Sequence, residues 1–187
     1  MATARRAGAT PLSAGGAGAG EPRRSVFHMF GHDAPVQDVA YNADGSYLAS
    51  AGEDGRTIVW NMENGSPVYS ANPSPEEPVA ANAVAFSPDG ARVITGYNDG
   101  VARVWDFANE GLLFNLIGHA SLVFDVAYSP DGRLMATASG DGTAKVWDAA
   151  TGRTLYTLSG HNGAVSAVAF SPRRVWMCWF CRVIAGR

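Results

Sequence analysis

The chain repeats itself at intervals of 42 to 45 residues, and this repetition restricts its fold more than any other feature. Tryptophans stand at Trp60, Trp105 and Trp147, and the segments 36–61 and 123–148 align without gaps to each other and to the shorter segment 84–106. A repeat of this length forms one small unit that must stack on its neighbours to bury its faces. The sequence therefore predicts a stacked repeat architecture.

Each copy contains short strands separated by glycine turns. Stretches such as "DVAY" and "NAVAF" are rich in β-forming residues and are followed by Asp-Gly turns, and "RVITGYNDGVARVWD" reads as two strands joined at Asn-Asp-Gly. Gly100 can take the left-handed conformation that this turn requires. With one more strand after each tryptophan, every copy is predicted to be a four-stranded antiparallel sheet.

One set of polar residues recurs in register with the tryptophans. In the first and third copies a hydroxyl residue precedes an aspartate by four positions, a tryptophan follows the aspartate by six, and a histidine precedes it by 22. The second copy has Glu77 where the histidine should be. The predicted members are His32, Ser50, Asp54, Trp60, Thr95, Asp99, Trp105, His119, Thr137, Asp141, Trp147 and, in a fourth copy that begins at 160–172, His161.

This set has a catalytic and a structural interpretation. A serine-type triad needs one exposed nucleophile and one oxyanion site, and it does not need repetition beside a tryptophan. In the structural interpretation the indole donates to the hydroxyl, the hydroxyl donates to one histidine nitrogen, and the other nitrogen donates to the aspartate. Every buried polar atom then has a partner, so we expect four-residue structural locks and no catalysis.

At these residues the chain resembles the WD40 repeat family, in its Gly-His pairs, Asp-Gly turns and Trp-Asp endings. The resemblance spans residues 28–172 and implies an all-β fold, a partial β-propeller with three four-stranded blades and the first strand of a fourth. It also implies that each blade takes its outermost strand from the start of the next repeat. We place the repeats at about 31–75, 76–117, 118–159 and, in part, 160–172.

Both ends of the chain depart from the repeat. Residues 1–24 read as a disordered Ala/Gly/Arg leader, with a transit peptide as the alternative. Residues 173–187 are basic and aromatic, and they are interpreted as a tail foreign to the propeller; a membrane-surface or partner segment, and a metal or redox role for Cys178 and Cys181, are the alternatives. Three blades do not close a ring, so we expect missing repeats or another chain to complete it.

The charge distribution bears on the class of partner. Residues 1–24 carry +3 and residues 173–187 carry +4, so the −3 of the whole chain leaves −10 on residues 25–172. An acidic body disfavours nucleic acid and favours other proteins, including basic surfaces or peptides. The expected function is a protein-interaction scaffold without catalysis. The alternatives are a nucleic-acid-associated subunit, such as part of a transcription-factor complex, and a non-functional truncated fragment.

In the family, the upper face of the propeller carries the partner-binding residues. The resemblance assigns this role to the position five residues after each Gly-His histidine and to the residue before each turn aspartate. Phe124 is then either an apolar anchor for a partner or a side chain packed on its own blade. The residues so assigned are Gln37, Glu53, Asn82, Asn98, Phe124, Gly140 and Ser166.

No motif for a phosphate loop, a metal centre or a nucleophile elbow is present in the sequence. We therefore expect neither a cofactor nor a metal ion. The sequence also lacks an apolar run of the ~18–20 residues that a membrane span needs. These features predict a cytoplasmic or nuclear location without membrane partners.

Overall fold

The computed structural model describes residues 28–109 and 111–171, which form three four-stranded antiparallel sheets and no helix. We call the sheets blades 1, 2 and 3. The all-β, three-bladed fold predicted from the repeats is confirmed. The strands are β1 Val36–Tyr41, β2 Tyr47–Gly52, β3 Thr57–Asn61 and β4 Pro67–Ala71 in blade 1; β5 Ala81–Phe86, β6 Arg92–Tyr97, β7 Ala102–Asp106 and β8 Gly111–Leu116 in blade 2; and β9 Val123–Tyr128, β10 Leu134–Ser139, β11 Ala144–Asp148 and β12 Thr154–Leu158 in blade 3.

The Asp-Gly turns join the two central strands of each blade. In blade 2 the Asp99 carboxylate accepts a hydrogen bond from the Val101 amide at 2.9 Å, and Gly100 has a φ of +79°. A Cβ on Gly100 would also lie 3.0 Å from the Ser121 carbonyl oxygen and 3.1 Å from that of His119. Glycine is therefore required both by the turn and by the chain that passes over it.

The core lies between the blades as well as within them. Ala49, Val59, Val84 and Phe86 belong to one buried cluster that joins blades 1 and 2. A second cluster joins blades 2 and 3 through Ile94, Val123, Met135 and Trp147. Each blade is thus stabilised by burying apolar faces against its neighbour, as expected for stacked repeats.

Carboxylates on first strands also bind the next repeat. Asp38 of β1 accepts a hydrogen bond from the Val84 amide of β5 at 2.9 Å. Asp125 of β9 accepts one from the Val168 amide at 2.8 Å. The equivalent position on β5 is Ala83, and there the Asn82 side chain donates to the Val123 carbonyl oxygen at 2.9 Å instead.

Residues 160–171 begin the fourth repeat and lie against blade 3. Val165 is fully buried, and its amide donates to the Ser139 carbonyl oxygen at 3.0 Å. Where a first strand of a fourth blade was expected, the described residues form a single β-bridge at Val165. Residues 1–27 and 172–187, with the predicted leader, the tail and both cysteines, lie outside the described part of the chain.

Blade 1 has one face that no other blade covers among the described residues. Val39 and Tyr41 of β1 are 53% and 60% exposed, whereas their equivalents Val84 and Phe86 in blade 2 are 4% and 9% exposed. The same apolar pattern is therefore covered in one blade and bare in another. Among the described residues, no helix has the length and apolar character needed to traverse a lipid bilayer.

Candidate partner-binding face and the locks beneath it

The predicted hydrogen-bonded lock is present in blade 1. Trp60 Nε1 donates to Ser50 Oγ at 2.9 Å, and Ser50 Oγ lies 2.7 Å from His32 Nε2. His32 Nδ1 lies 3.0 Å from Asp54 Oδ1. This chain of donors is complete when Nδ1 carries the histidine proton and Nε2 accepts from the serine. The turn aspartate is thereby connected to the buried tryptophan.

Blade 3 repeats the arrangement with threonine in place of serine. Trp147 Nε1 donates to Thr137 Oγ1 at 3.0 Å, and Thr137 Oγ1 lies 2.7 Å from His119 Nε2. His119 Nδ1 lies 2.9 Å from Asp141 Oδ2. The Thr143 hydroxyl adds a hydrogen bond to Asp141 at 2.7 Å.

The surroundings of the blade 3 lock determine the protonation of His119 and Asp141. Burial lowers the pKa of His119, and the nearby Asp141 carboxylate opposes this shift only in part. Burial by itself raises the pKa of Asp141, but hydrogen bonds from Thr143, Ala120 and His119 together hold that pKa well below its usual range. At neutral pH the lock therefore contains a neutral imidazole and an ionised carboxylate.

Blade 2 forms a different network from the same kinds of residue. Thr95 Oγ1 bonds Thr57 Oγ1 of blade 1 at 2.9 Å, and Trp105 Nε1 has no hydrogen-bond acceptor among the described residues. Asp99 binds Arg103 with an O–N distance of 2.6 Å. Thr95, Asp99 and Trp105 thus have the predicted spacing, but without a histidine they are not joined to one another.

Blade 2 has the bulky Tyr97 at a position that is occupied by a small residue in the other two blades. The position equivalent to Tyr97 is Gly52, where an added Cβ would lie 2.4 Å from His32 Nδ1. Tyr97 is fully buried, its hydroxyl lies 3.1 Å from Thr57 Oγ1, and Arg103 stands 4.7 Å above its ring. Burial raises the pKa of Tyr97 to about 12 despite nearby Thr57, Arg103, Thr95 and Trp105.

No lock is seen among the described residues at the two remaining histidine positions of the repeat, Glu77 and His161. Glu77 is exposed in the segment that joins β4 to β5 and does not replace the histidine. His161 is half-buried, and the positions 18 and 22 residues after it, where its hydroxyl and aspartate partners would stand, lie beyond the described residues. The network around Tyr97 was not predicted; its one signal in the sequence is the tyrosine that stands where the first copy has Gly52 and the third has Ser139.

The predicted upper-face residues form cross-strand pairs at the same edge of each blade. Gln37 Nε2 donates to Glu53 Oε1 at 2.6 Å in blade 1, and Asn82 Nδ2 donates to Asn98 Oδ1 at 2.8 Å in blade 2. In blade 3 a Cβ on Gly140 would lie 3.5 Å from the Phe124 ring. Because Gly140 has no side chain, the Phe124 ring can lie close to its backbone.

A β-bulge places the first member of each pair. The register of the first two strands shifts at Gln37, Asn82 and Phe124, so each of these residues lacks a direct partner on the next strand. A bulge redirects its side chain toward the edge of the sheet. Phe124 is 39% exposed as a result. Ser166, the equivalent residue of the fourth repeat, lies half-buried one position after Val165.

The described residues do not form a metal-binding cluster. They contain no group of three or more histidine, cysteine, aspartate or glutamate side chains placed to hold a metal ion. The locks lie below the surface with their hydroxyls bonded to buried tryptophans. The exposed face consists of amides, a carboxylate and one phenyl ring, which is a set suited to contact with another molecule.

Known proteins share both the sequence pattern and the fold. The chain is 33% identical over 79 residues to pre-mRNA-processing factor 19 of Caenorhabditis elegans, covering 42% of this chain and 16% of that protein. It is 34% identical over 88 residues to small ribosomal subunit protein RACK1z of Arabidopsis thaliana, covering 47% of this chain and 25% of that protein. The chain thus spans a quarter or less of the length of these curated relatives.

Two solved structures are similar over most of the described fold. The structure of U3-55K matches with a TM-score of 0.68 and 25% identity, covering 73% of this chain and 43% of that one. The crystal structure of RRP9 WD40 repeats matches with a TM-score of 0.68 and 24% identity, covering 73% and 42%.

The family model of the WD domain, G-beta repeat, matches residues 23–61, 65–106, 111–148 and 152–185. Its second unit begins with β4, which pairs with β3 of the first unit, so a blade takes its outermost strand from the next repeat as the resemblance implied. Its fourth unit extends across the boundary placed at residue 172. Because these four matches make up most of the chain, the chain belongs to the WD40 repeat family.

Proposed function

We propose that this chain is a partner-binding scaffold that holds other proteins through the upper face of its blades and performs no catalysis of its own. The observation that carries the proposal is the exposed Phe124 ring over Gly140, with polar pairs at the equivalent positions of blades 1 and 2. An aromatic ring with a polar surround is the usual centre of a protein interface. The locks below keep the turns that bear Glu53 and Gly140 in place.

The face also has a charge preference. Glu53 is exposed and accepts a hydrogen bond from Gln37 through one oxygen, and residues 25–172 are strongly acidic. A partner with a basic patch gains favourable long-range attraction, whereas a nucleic-acid backbone is repelled. We therefore place basic protein surfaces or peptides ahead of nucleic acid as partners, in the cytoplasm or the nucleus.

We further propose that the open face of blade 1 is covered in a complete ring, by other repeats or by a second chain. Val39 and Tyr41 stand at positions that a preceding blade buries in blade 2. Size-exclusion chromatography with light scattering tests the second-chain version. A dimer that Tyr41→Lys dissociates supports it, and a monomer at high concentration contradicts it.

The partner-binding face is tested by affinity capture from the cells in which the chain is made. Phe124→Ala and Glu53→Arg are compared with Leu155→Ala, a control at a similarly exposed apolar residue on the outer strand of blade 3. We expect each face variant to lose at least one protein that the wild-type chain and the Leu155→Ala control both retain. Identical captured proteins for all four chains would refute the face assignment.

A further inference from the structure

Two asparagines of the chain, Asn64 and Asn162, are followed directly by glycine, and both are exposed. Asparagine is one of the chemically labile residues of proteins. A following glycine has no side chain, so its backbone nitrogen can reach the carboxamide carbon of the asparagine without steric hindrance. The other asparagines of the chain precede larger residues. These two positions are therefore the ones where the chain can most readily lose a side-chain amide.

Hydrogen bonds engage both reacting groups at Asn64. Its Oδ1 accepts from the Ser66 amide at 2.9 Å and from the Ser66 hydroxyl at 2.7 Å. The Gly65 amide, whose nitrogen would have to attack, donates to the Asn61 carbonyl oxygen at 2.8 Å. These three bonds lie in the turn between β3 and β4, and closure of a ring between the two groups has to disrupt them. Asn64 is thus a protected reference within the same chain.

Asn162 lies in the loop that follows β12, on the upper side of blade 3. The carbonyl oxygens of its neighbours His161 and Gly163 lie 3.5 Å and 3.4 Å from the place where a Cβ on Gly142 would stand. The loop therefore rests on the blade 3 turn that also contains Gly140. Neither the Asn162 carboxamide nor the Gly163 amide forms a hydrogen bond to another described residue. Both reacting groups are thus unengaged at this position.

The first repeat shows that the fold accommodates an acid at this position. Asn162 directly follows a Gly-His pair, and its equivalents in the first and third repeats are Asp33 and Ala120. The Asp33 side chain is 75% exposed, and its Oδ2 lies 2.7 Å from Arg56 Nη2. Conversion of the Asn162 amide to an acid therefore gives a residue type that another copy already contains.

We propose that Asn162 is a site of spontaneous deamidation, which replaces a neutral amide on the upper side of blade 3 with a carboxylate. The Gly163 nitrogen loses its proton to solvent and bonds to the carboxamide carbon. The bond from that carbon to Nδ2 breaks, and Nδ2 takes up a proton and leaves as ammonia. Water then opens the five-membered imide ring at one of its two carbonyl carbons, which leaves aspartate or isoaspartate at position 162. Water is the only co-reactant.

The product adds charge where the proposed function places the partner. A carboxylate at position 162 is ionised at neutral pH. It lies on the turn that contains Gly140, where an added Cβ would be 3.5 Å from the Phe124 ring. Deamidation therefore strengthens the attraction of the upper face for a basic partner. This consequence rests on the proposed function, whereas the deamidation itself does not.

The test compares the two asparagine–glycine pairs in one sample. The full chain is incubated at neutral and at mildly alkaline pH and digested at acid pH, and mass spectrometry quantifies amide-to-acid conversion in the peptides that contain positions 64 and 162. We expect position 162 to convert at least tenfold faster than position 64, and faster at the higher pH because the attacking nitrogen must lose a proton. In urea-unfolded chain the two rates should approach each other, since the hydrogen bonds of Asn64 are then lost.

Equal rates at the two positions of the folded chain, or faster conversion at position 64, would overturn the proposal. The charge effect is measured separately, by affinity capture with Asn162→Asp and with Asn162→Gln, which keeps an amide and closes its larger ring more slowly. Proteins whose capture depends on Phe124 should stay bound to Asn162→Asp at higher salt than to Asn162→Gln. Fast conversion at position 162 with identical capture by the two variants would confirm the modification site and contradict the upper-face assignment.

Discussion

The lock forms in blades 1 and 3, which have a histidine to join its members, and it does not form in blade 2, which has none. Ser50 and Thr137 accept from a tryptophan and donate to a histidine, whereas Thr95 turns toward Thr57 of the neighbouring blade. A second difference lies two positions after the hydroxyl residue, where blade 1 has Gly52, blade 3 has Ser139 and blade 2 has Tyr97. The tyrosine hydroxyl of blade 2 instead lies 3.1 Å from Thr57 Oγ1.

Removal of the lock hydroxyl should therefore cost more in blade 3 than in blade 2. Thr137→Val leaves both Trp147 Nε1 and His119 Nε2 without a partner, so the free energy of unfolding should fall by about 2–3 kcal/mol. Thr95→Val removes one hydrogen bond whose partner Thr57 also bonds Tyr97, and it should cost about 1 kcal/mol. Urea unfolding of both variants measures the difference, and equal losses would contradict it.

The blade 3 lock should also make the protein sensitive to acid. The pKa of His119 and that of Asp141 are both lower in the folded chain than in the unfolded one. The stability they contribute is then present at neutral pH, and it falls first below about pH 6.5, as the unfolded histidine takes up a proton, and again below about pH 4. Asp141→Asn removes the second step, which is on the order of 1 kcal/mol because water reaches the carboxylate. An unchanged slope of stability below pH 4 in this variant would be inconsistent with the lock.

At the level of strands, the repeat pattern predicted most of what is observed. The stretches "DVAY" and "NAVAF" lie in β1 and β5, and Gly100 takes the left-handed turn. The hydrogen bond of Tyr97 to Thr57 was not predicted, because alignment of the copies shows that blade 2 lacks the histidine but not how the tyrosine at the Gly52 position would pack. The hydrogen bonds of Asp38 and Asp125 to the next repeat were not predicted either, because the spacing of residues within one copy carries no information about contacts with its neighbour.

Asp125 gives a pH dependence opposite in sign to that of the lock. Burial raises the pKa of Asp125 to about 6, against hydrogen bonds from the Val168 and Val126 amides. Its contribution to stability is full below about pH 4 and is lost as the pH rises to about 6. Relative to wild type, Asp125→Asn should therefore gain about 1–3 kcal/mol between pH 4 and pH 7.

Thermal or urea unfolding at the two pH values measures this gain. Asp38→Asn is the matched control, because Asp38 makes the same kind of contact to the next blade through Val84. If the difference in unfolding free energy between Asp125→Asn and wild type is the same at pH 4 and pH 7, the ionised Asp125 carboxylate does not destabilise the folded chain, and the prediction is wrong.

Across the whole molecule, stability depends on how the blades cover one another. Periodicity predicts that every β-rich first strand has an apolar face, but it does not say which faces are covered. The structure shows which faces are covered: Val84 is buried against blade 1, whereas its equivalent Val39 is exposed.

This contrast gives a prediction about equivalent substitutions. Val84→Asp buries an unpaired carboxylate between blades and should reduce the unfolding free energy by at least about 3 kcal/mol, or prevent folding. Val39→Asp places the same group in solvent and should cost less than about 1 kcal/mol. Circular dichroism with urea titration compares them, and a similar loss in both variants would mean that the two positions do not differ in burial.

The most direct test of the partner-binding face is site-specific photocrosslinking in cells that contain the natural partners. Benzoylphenylalanine is placed at Phe124 in one chain and at Leu155 in another, and the products are compared after irradiation. A scaffold that binds through its upper face should give discrete crosslinked proteins from position 124 that are absent from position 155. Crosslinks of equal yield and pattern from both positions, or none from position 124, would contradict it.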